Sequence, residues 1–190
     1  MLVFKIIVFQ VILTLAVIYL SKKLKLVDIP NSRKLHIGNI PYTGGIVISL
    51  TYLFLVFSTD FHLEYINLIL SYALLSALSG FLDDKYKVNP GTKILLQSIP
   101  IFFLIENNLY LLDLGFYDKI GYIKLGSFDK IFTFLCCIFL LNAFNYSDGI
   151  DGLLPTIAIL ILGNFIFLTL IHNKSDLSKY YFLISIPIFI

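Results

Sequence analysis

The chain has 190 residues, of which 58% are hydrophobic and only 14% charged, with a mean hydropathy of +0.91 and a net charge of +2. Globular proteins average about half apolar and a quarter charged residues, so a soluble domain of this length has too little interior for so much apolar surface, and the membrane class is left. The small net charge averages over loops on two sides of a bilayer, and no basic cluster with interleaved aromatics points to nucleic acid.

A helix rises about 1.5 Å per residue, so roughly 20 apolar residues cross a bilayer. Residues 2–20 form the first such run. It is longer than the roughly 7–15 residues of a signal-peptide core, lacks a small-residue cleavage site and stops at Lys22, Lys23 and Lys25, so it reads as a retained transmembrane helix. Further runs at 44–57, 66–82, 94–105, 131–141 and 153–171 bring the expected total to about six complete crossings. The fourth and fifth reach membrane length only with their flanks. A seventh run begins at Tyr180 and the sequence stops at Ile190, which predicts a partial seventh helix in a C-terminally truncated chain. The expected fold class is all-α, a polytopic membrane helix bundle, with residues 1–190 as one transmembrane domain. Cys136 and Cys137 are neighbours in an apolar run, about 100° apart on a helix, and read as small apolar filler rather than a disulfide.

Basic residues set the predicted topology. Loop 21–43 carries Lys22, Lys23, Lys25, Arg33 and Lys34, and loop 83–93 carries Lys85, Lys87 and Lys93. These loops are expected in the cytoplasm, with the N-terminus outside and residues 145–152 on the cytoplasmic side as well. The protein is thus expected in the inner (cytoplasmic) membrane, with three polar loops on one face. The outside segment 106–130 holds Tyr110, Phe116, Tyr117, Tyr122 and Phe128, with turn glycines at Gly115, Gly121 and Gly126. It suits a short β-hairpin or a position in the headgroup region, where aromatic rings are favoured.

The three inner loops carry the chemistry. The first, DIPNSRKLHIGNIPYTGG from Asp28 to Gly45, is a stiff basic loop in which Arg33 and Lys34 suit a phosphate. A topogenic loop attracted to anionic lipid accounts for the same residues. The second, GFLDDKYKVNPGTKILLQ from Gly80 to Gln97, places Asp83 beside Asp84; adjacent carboxylates repel unless a cation stands near, and Mg²⁺ takes carboxylate, water and phosphate oxygens. Lys93 opens the next helix within reach of a phosphate. The third, NAFNYSDGIDGLL from Asn142 to Leu154, spaces Asn142, Asn145, Asp148 and Asp151 three residues apart, which keeps them on one slowly drifting helix face. Acids and amides at a membrane boundary are costly there, and their presence is a functional signal. Metal-assisted phosphoryl transfer needs this inventory: acids for the ion and cations for the developing charge.

The strings D-x-P-x-x-R-K-x-H-x-x-x-x-P-x-x-G-G, G-x-x-D-D and N-x-x-N-x-x-D-G-x-D-G-L, in this order, resemble the polyprenyl-phosphate N-acetylhexosamine-1-phosphate transferases, glycosyltransferase family 4. The RKxH form of the first loop is similar to the branch acting on UDP-GlcNAc. The resemblance implies transfer of a HexNAc-1-phosphate from a UDP-sugar to undecaprenyl phosphate, with release of UMP and a need for Mg²⁺ or Mn²⁺, to start a cell-envelope glycan. It implies Asp83, Asp84, Asp148 and Asp151 as catalytic residues. Asn142, Asp84, Asp148 and Asp151 would hold the metal, and Arg33, Lys34, His36, Lys93 and Asn145 would hold substrate and phosphate. Implied partners are undecaprenyl phosphate, a UDP-sugar and the lipid bilayer, with a homodimer left open. Direct attack by the lipid phosphate and an aspartyl-phosphate route both stay open. The family carries a later aspartate loop and a later His-containing basic loop that this sequence lacks, so the alternative is an inactive truncated member that binds lipid phosphate or a partner polypeptide without chemistry. All of these expectations need the four aspartates to converge on one inner surface.

Overall fold

The structure, a computed structural model, describes residues 2–24, 26–28, 40–41, 43–58, 64–147 and 152–189. Seven α-helices and two small antiparallel sheets occur among them. The helices are α1 (Leu2–Lys23), α2 (Gly44–Ser58), α3 (Glu64–Tyr86), α4 (Pro90–Glu106), α5 (Asp129–Ser147), α6 (Leu153–Ile171) and α7 (Ser175–Phe189). Four stretches are long and apolar enough by themselves to cross a membrane: Leu2–Lys23, Tyr65–Tyr86, Gly126–Ser147 and Leu153–Ile171. A shorter apolar helix is Gly44–Ser58.

The behaviour of α6 shows which solvent this chain is built for. It is apolar around its whole circumference and none of its side chains is fully buried. A helix of that composition is stable only with hydrocarbon around it. Its polar side chains turn inward: Thr156 Oγ1 donates to Gly152 O, Asn164 Nδ2 to Leu160 O and Thr169 Oγ1 to Phe165 O, at 2.7, 2.8 and 2.8 Å. In lipid each unmet polar group costs several kcal/mol, so such back-bonding is how a hydroxyl or amide is tolerated there. The molecule is a multi-pass α-helical membrane protein.

The chain divides into two compact units. The first comprises Met1–Leu63 and Ser147–Ile190. In it α1 packs on α2 and α7, α2 on α7, and α6 on α7. Ile6, Val17, Val47, Leu55 and Ile186 are buried, and Phe9 stacks on Phe54 with ring centroids 4.2 Å apart. Two polar side chains fasten α7: Gln10 Nε2 donates to Pro187 O at 2.8 Å and the Tyr52 hydroxyl to Ile184 O at 3.0 Å. The strands β1 (Val27–Asp28) and β2 (Ile40–Pro41) pair antiparallel, Val27 with Pro41 and Asp28 with Ile40. They bring the two ends of the basic segment together, a feature the sequence pattern did not announce. Gly152 takes the left-handed conformation (φ 79°) at the start of α6, where a side chain would be strained.

The second unit, Glu64–Tyr146, holds α3, α4, a hairpin and α5. Helices α3 and α4 pack together, with Ile66, Leu70, Ile101 and Ile105 buried. The expected hairpin is present as β3 (Asp113–Tyr117) and β4 (Gly121–Lys124), pairing Asp113 with Lys124 and Phe116 with Tyr122. Gly115 and Gly121 both take positive φ, 99° and 81°. Cys136 and Cys137 are free.

Helix ends differ from the apolar runs. The expected loop 83–93 shrinks to three residues, because α3 continues through Asp83 and Asp84 to Tyr86 and α4 starts at Pro90. Apolar residues mark the hydrocarbon slab, whereas a helix continues while its backbone bonds are satisfied. Similarly α5 runs to Ser147, so Asn142 and Asn145 are helical rather than in a loop. Helix α7 starts at Ser175, five residues before the apolar run.

Candidate functional site

The turn between α3 and α4 builds the site. Lys87 adopts φ 47° and its N–H bonds back to Asp83 O at 2.8 Å, closing α3. Asn89 then caps α4: its Oδ1 accepts from Thr92 N at 2.8 Å, with Pro90 in the first helical position, where its fixed φ suits a helix start. Removing such a cap costs about 0.5–2 kcal/mol. Asn89→Ala is therefore expected to lower the thermal unfolding midpoint in detergent, and an unchanged midpoint would mean that packing alone holds the corner.

Because the turn is so short, the last turn of α3 faces the first turn of α4. Lys93 Nζ lies 2.7 Å from Asp83 Oδ2, and the two side chains are 20% and 21% exposed. Both charges stand at the wrong ends of their helices. A carboxylate at a C-terminus and an ammonium at an N-terminus each oppose the helix dipole, by about 0.3–1 kcal/mol. Exchanging them would put each charge where its helix dipole favours it. Asp84, next along α3, is exposed.

One turn further into α4, on the same face as Lys93, lies buried Gln97. Asn142 of α5 donates its Nδ2 to Gln97 Oε1 at 3.0 Å and to Ile138 O at 2.8 Å. The backbone carbonyl can only accept, so the amide orientation of Asn142 is fixed. Both of its N–H bonds are used within the unit, leaving Oδ1 as the atom that can face a cation or a donor. Asn145, one turn on, is exposed near the end of α5. Thus Asp83, Lys93, Gln97 and Asn142 gather at one end of this unit. At its other end Lys130 approaches Glu106 at 4.0 Å and Tyr110 at 5.6 Å from the ring centroid.

Gln97 carried no role in the sequence reading. The available signal was its place as the one amide in an apolar run, since polar groups at membrane depth need partners. Interhelical hydrogen bonds in membranes average about 0.6 kcal/mol. Gln97→Leu is thus expected to lower stability only slightly, read as a small drop in the unfolding midpoint; a large drop would make Gln97 a keystone of packing instead. Arg33, Lys34, His36, Asp148 and Asp151 lie outside the described residues, and so does the expected convergence of all four aspartates.

The fold and the site define a multi-pass helical membrane protein with an acid–lysine pair and an amide clamp at one helix-bundle end. The sequence profile described as glycosyl transferase family 4 matches residues 65–190, and the chain belongs to that family. Among curated proteins it is similar to the undecaprenyl-phosphate alpha-N-acetylglucosaminyl 1-phosphate transferase of Escherichia coli O157:H7, with 36% identity over 135 residues, 70% of this chain and 37% of that protein. The protein of the same name from Yersinia pestis is 34% identical over 142 residues, 74% of this chain and 39% of its own length. That of Salmonella typhi is 32% identical over 133 residues, 70% of this chain and 36% of its own length. The chain therefore spans less than two-fifths of the length of these relatives.

Proposed function

We propose that the protein acts in the transfer of N-acetylglucosamine 1-phosphate to undecaprenyl phosphate, the transfer that the names of its relatives give for them, with a UDP-sugar as the donor and UMP as the released product. Residues 1–190 are taken as one membrane domain of this family in the inner membrane, with the loops that carry the motifs on the cytoplasmic side. The observation that carries the reading is the Asp83–Lys93 pair, held at 2.7 Å against both helix dipoles. A cation and a carboxylate held side by side are the two groups a phosphate nucleophile needs.

On the direct route an oxygen of the lipid monophosphate attacks the sugar-bearing phosphorus. The bond from that phosphorus to the bridging oxygen breaks, and UMP leaves with the electron pair. Lys93 exchanges its resting partner Asp83 for the incoming lipid phosphate, which it draws to the end of α4. Asp83, released from the ion pair, orients the phosphate and accepts its proton. Arg33, Lys34 and His36 of the basic segment are assigned to phosphate, and Asn145 to the nucleotide sugar. Asp148 and Asp151 are assigned catalytic and metal-binding roles on their motif.

Among the described residues, the side chains that could serve an ion, Asp83, Asp84 and Asn142 through Oδ1, offer oxygen. Hard oxygen donors fit Mg²⁺ or Mn²⁺, and Mg²⁺ is usually held through one or two carboxylates plus substrate phosphates. No group of three or more His, Cys, Asp or Glu residues stands together among the described residues. Asp84 and Asn142, with Asp148 and Asp151, are the residues assigned to the ion. When bound, it offsets the charge of the diphosphate.

The test uses membranes containing the full chain, undecaprenyl phosphate and UDP-GlcNAc with Mg²⁺. UMP and lipid-linked sugar should form in equal amounts and stop when the ion is chelated. No product in the presence of all components overturns the reading.

A further inference from the structure

The hairpin between α4 and α5 presents an apolar face that the proposed chemistry does not use. Phe116 and Tyr122 stand opposite each other with ring centroids 5.3 Å apart. They are 60% and 63% exposed, and Ile120 at the turn is 72% exposed. In water such a patch is an aggregation liability.

The chain itself indicates what covers it. Leu125 alone separates β4 from the membrane-length stretch Gly126–Ser147. The hairpin is also tied down: Leu125 N donates to Leu112 O at 3.0 Å, and Leu111 N donates to Thr133 Oγ1, on the first turns of α5, at 2.9 Å. A strand pair fixed so close to the end of a membrane-crossing helix lies at the bilayer boundary. Aromatic rings are favoured at that depth. Exposed Lys119 and Lys124 are long enough to keep their charges among lipid phosphates while their stems stay with the apolar surface.

We propose that the Phe116–Tyr122 face of the hairpin is a lipid-docking surface. It inserts into the boundary between headgroups and acyl chains and so fixes the depth of α5, the helix that carries Asn142 and Asn145 at its far end. The inference is independent of the assigned chemistry.

The sequence contains no tryptophan, so Tyr122→Trp introduces a sole indole reporter into the full chain. In phosphatidylcholine vesicles its emission should be shifted to the blue of indole in water. Lipid brominated near the top of the acyl chain should remove most of the emission, and aqueous iodide little of it. Phe116→Trp gives the same reading from the facing strand if Tyr122→Trp does not fold. Water-like emission quenched by iodide overturns the proposal. So does a shielded indole that stays bright in brominated lipid, the result expected if a protein partner or a second copy covers the face.

Discussion

Asp83→Asn is expected to lower sugar-phosphate transfer by about 10²–10⁴-fold, the usual contribution of a positioned proton acceptor, while leaving the fold in place. Asparagine keeps the shape and can still accept from Lys93, so the contact of 2.7 Å survives as a neutral–cation hydrogen bond. What disappears is the charge. Its loss removes an ion pair at a site still about one-fifth open to solvent, worth about 0–1 kcal/mol. It also removes a dipole conflict of about 0.3–1 kcal/mol. The two terms offset, so the unfolding midpoint should barely move. UMP release from UDP-GlcNAc measures the first half of the prediction and thermal unfolding in detergent the second. A variant that transfers sugar phosphate at the original rate would remove Asp83 from the mechanism. A variant that unfolds early would make the carboxylate a structural group.

The elements legible in the sequence were those whose signal is local. Apolar runs located every described helix, the longest of them because about 20 apolar residues suit a crossing of hydrocarbon. Gly115 and Gly121 marked the hairpin, because only glycine takes φ values of 99° and 81° without strain. The acid pair and the amides of the third motif were visible as polar groups out of place in apolar surroundings. Helix ends were not legible: the hydropathy drop at Asp83 marks where lipid stops, yet α3 continues to Tyr86. Contacts across the chain were hidden for a different reason. Asn142 and Gln97 are 45 residues apart, and their pairing depends on how α4 and α5 are rotated, which no spacing within either helix encodes. The Asp83–Lys93 pair depends on a turn of only three residues, Lys87 to Asn89. The signal for that turn was the N-P-G-T sequence that caps α4, and its effect was to convert an expected loop into two helix ends face to face.

That facing arrangement leads to the most discriminating experiment, an exchange of the two charges. Asp83→Lys alone sets two ammonium groups against each other, and Lys93→Asp alone adds a carboxylate beside Asp83 and Asp84. Like charges about 4 Å apart repel by as much as about 4 kcal/mol at an effective dielectric of ~20, so each single variant should be destabilised until the side chains swing apart. The double variant Asp83→Lys with Lys93→Asp restores the opposite-charge contact. It also puts a cation at the C-terminus of α3 and an anion at the N-terminus of α4, which both helix dipoles favour by about 0.3–1 kcal/mol per charge. The exchanged protein should therefore unfold at a higher temperature than the original and, on the proposed roles of Asp83 as proton acceptor and Lys93 as phosphate-binding cation, transfer no sugar phosphate, because the two groups have traded places relative to Asn142 and Asp84. Retained activity would mean that the pair only joins two helices. A loss of stability would refute the dipole argument and remove the reason to regard the present arrangement as one kept for chemistry.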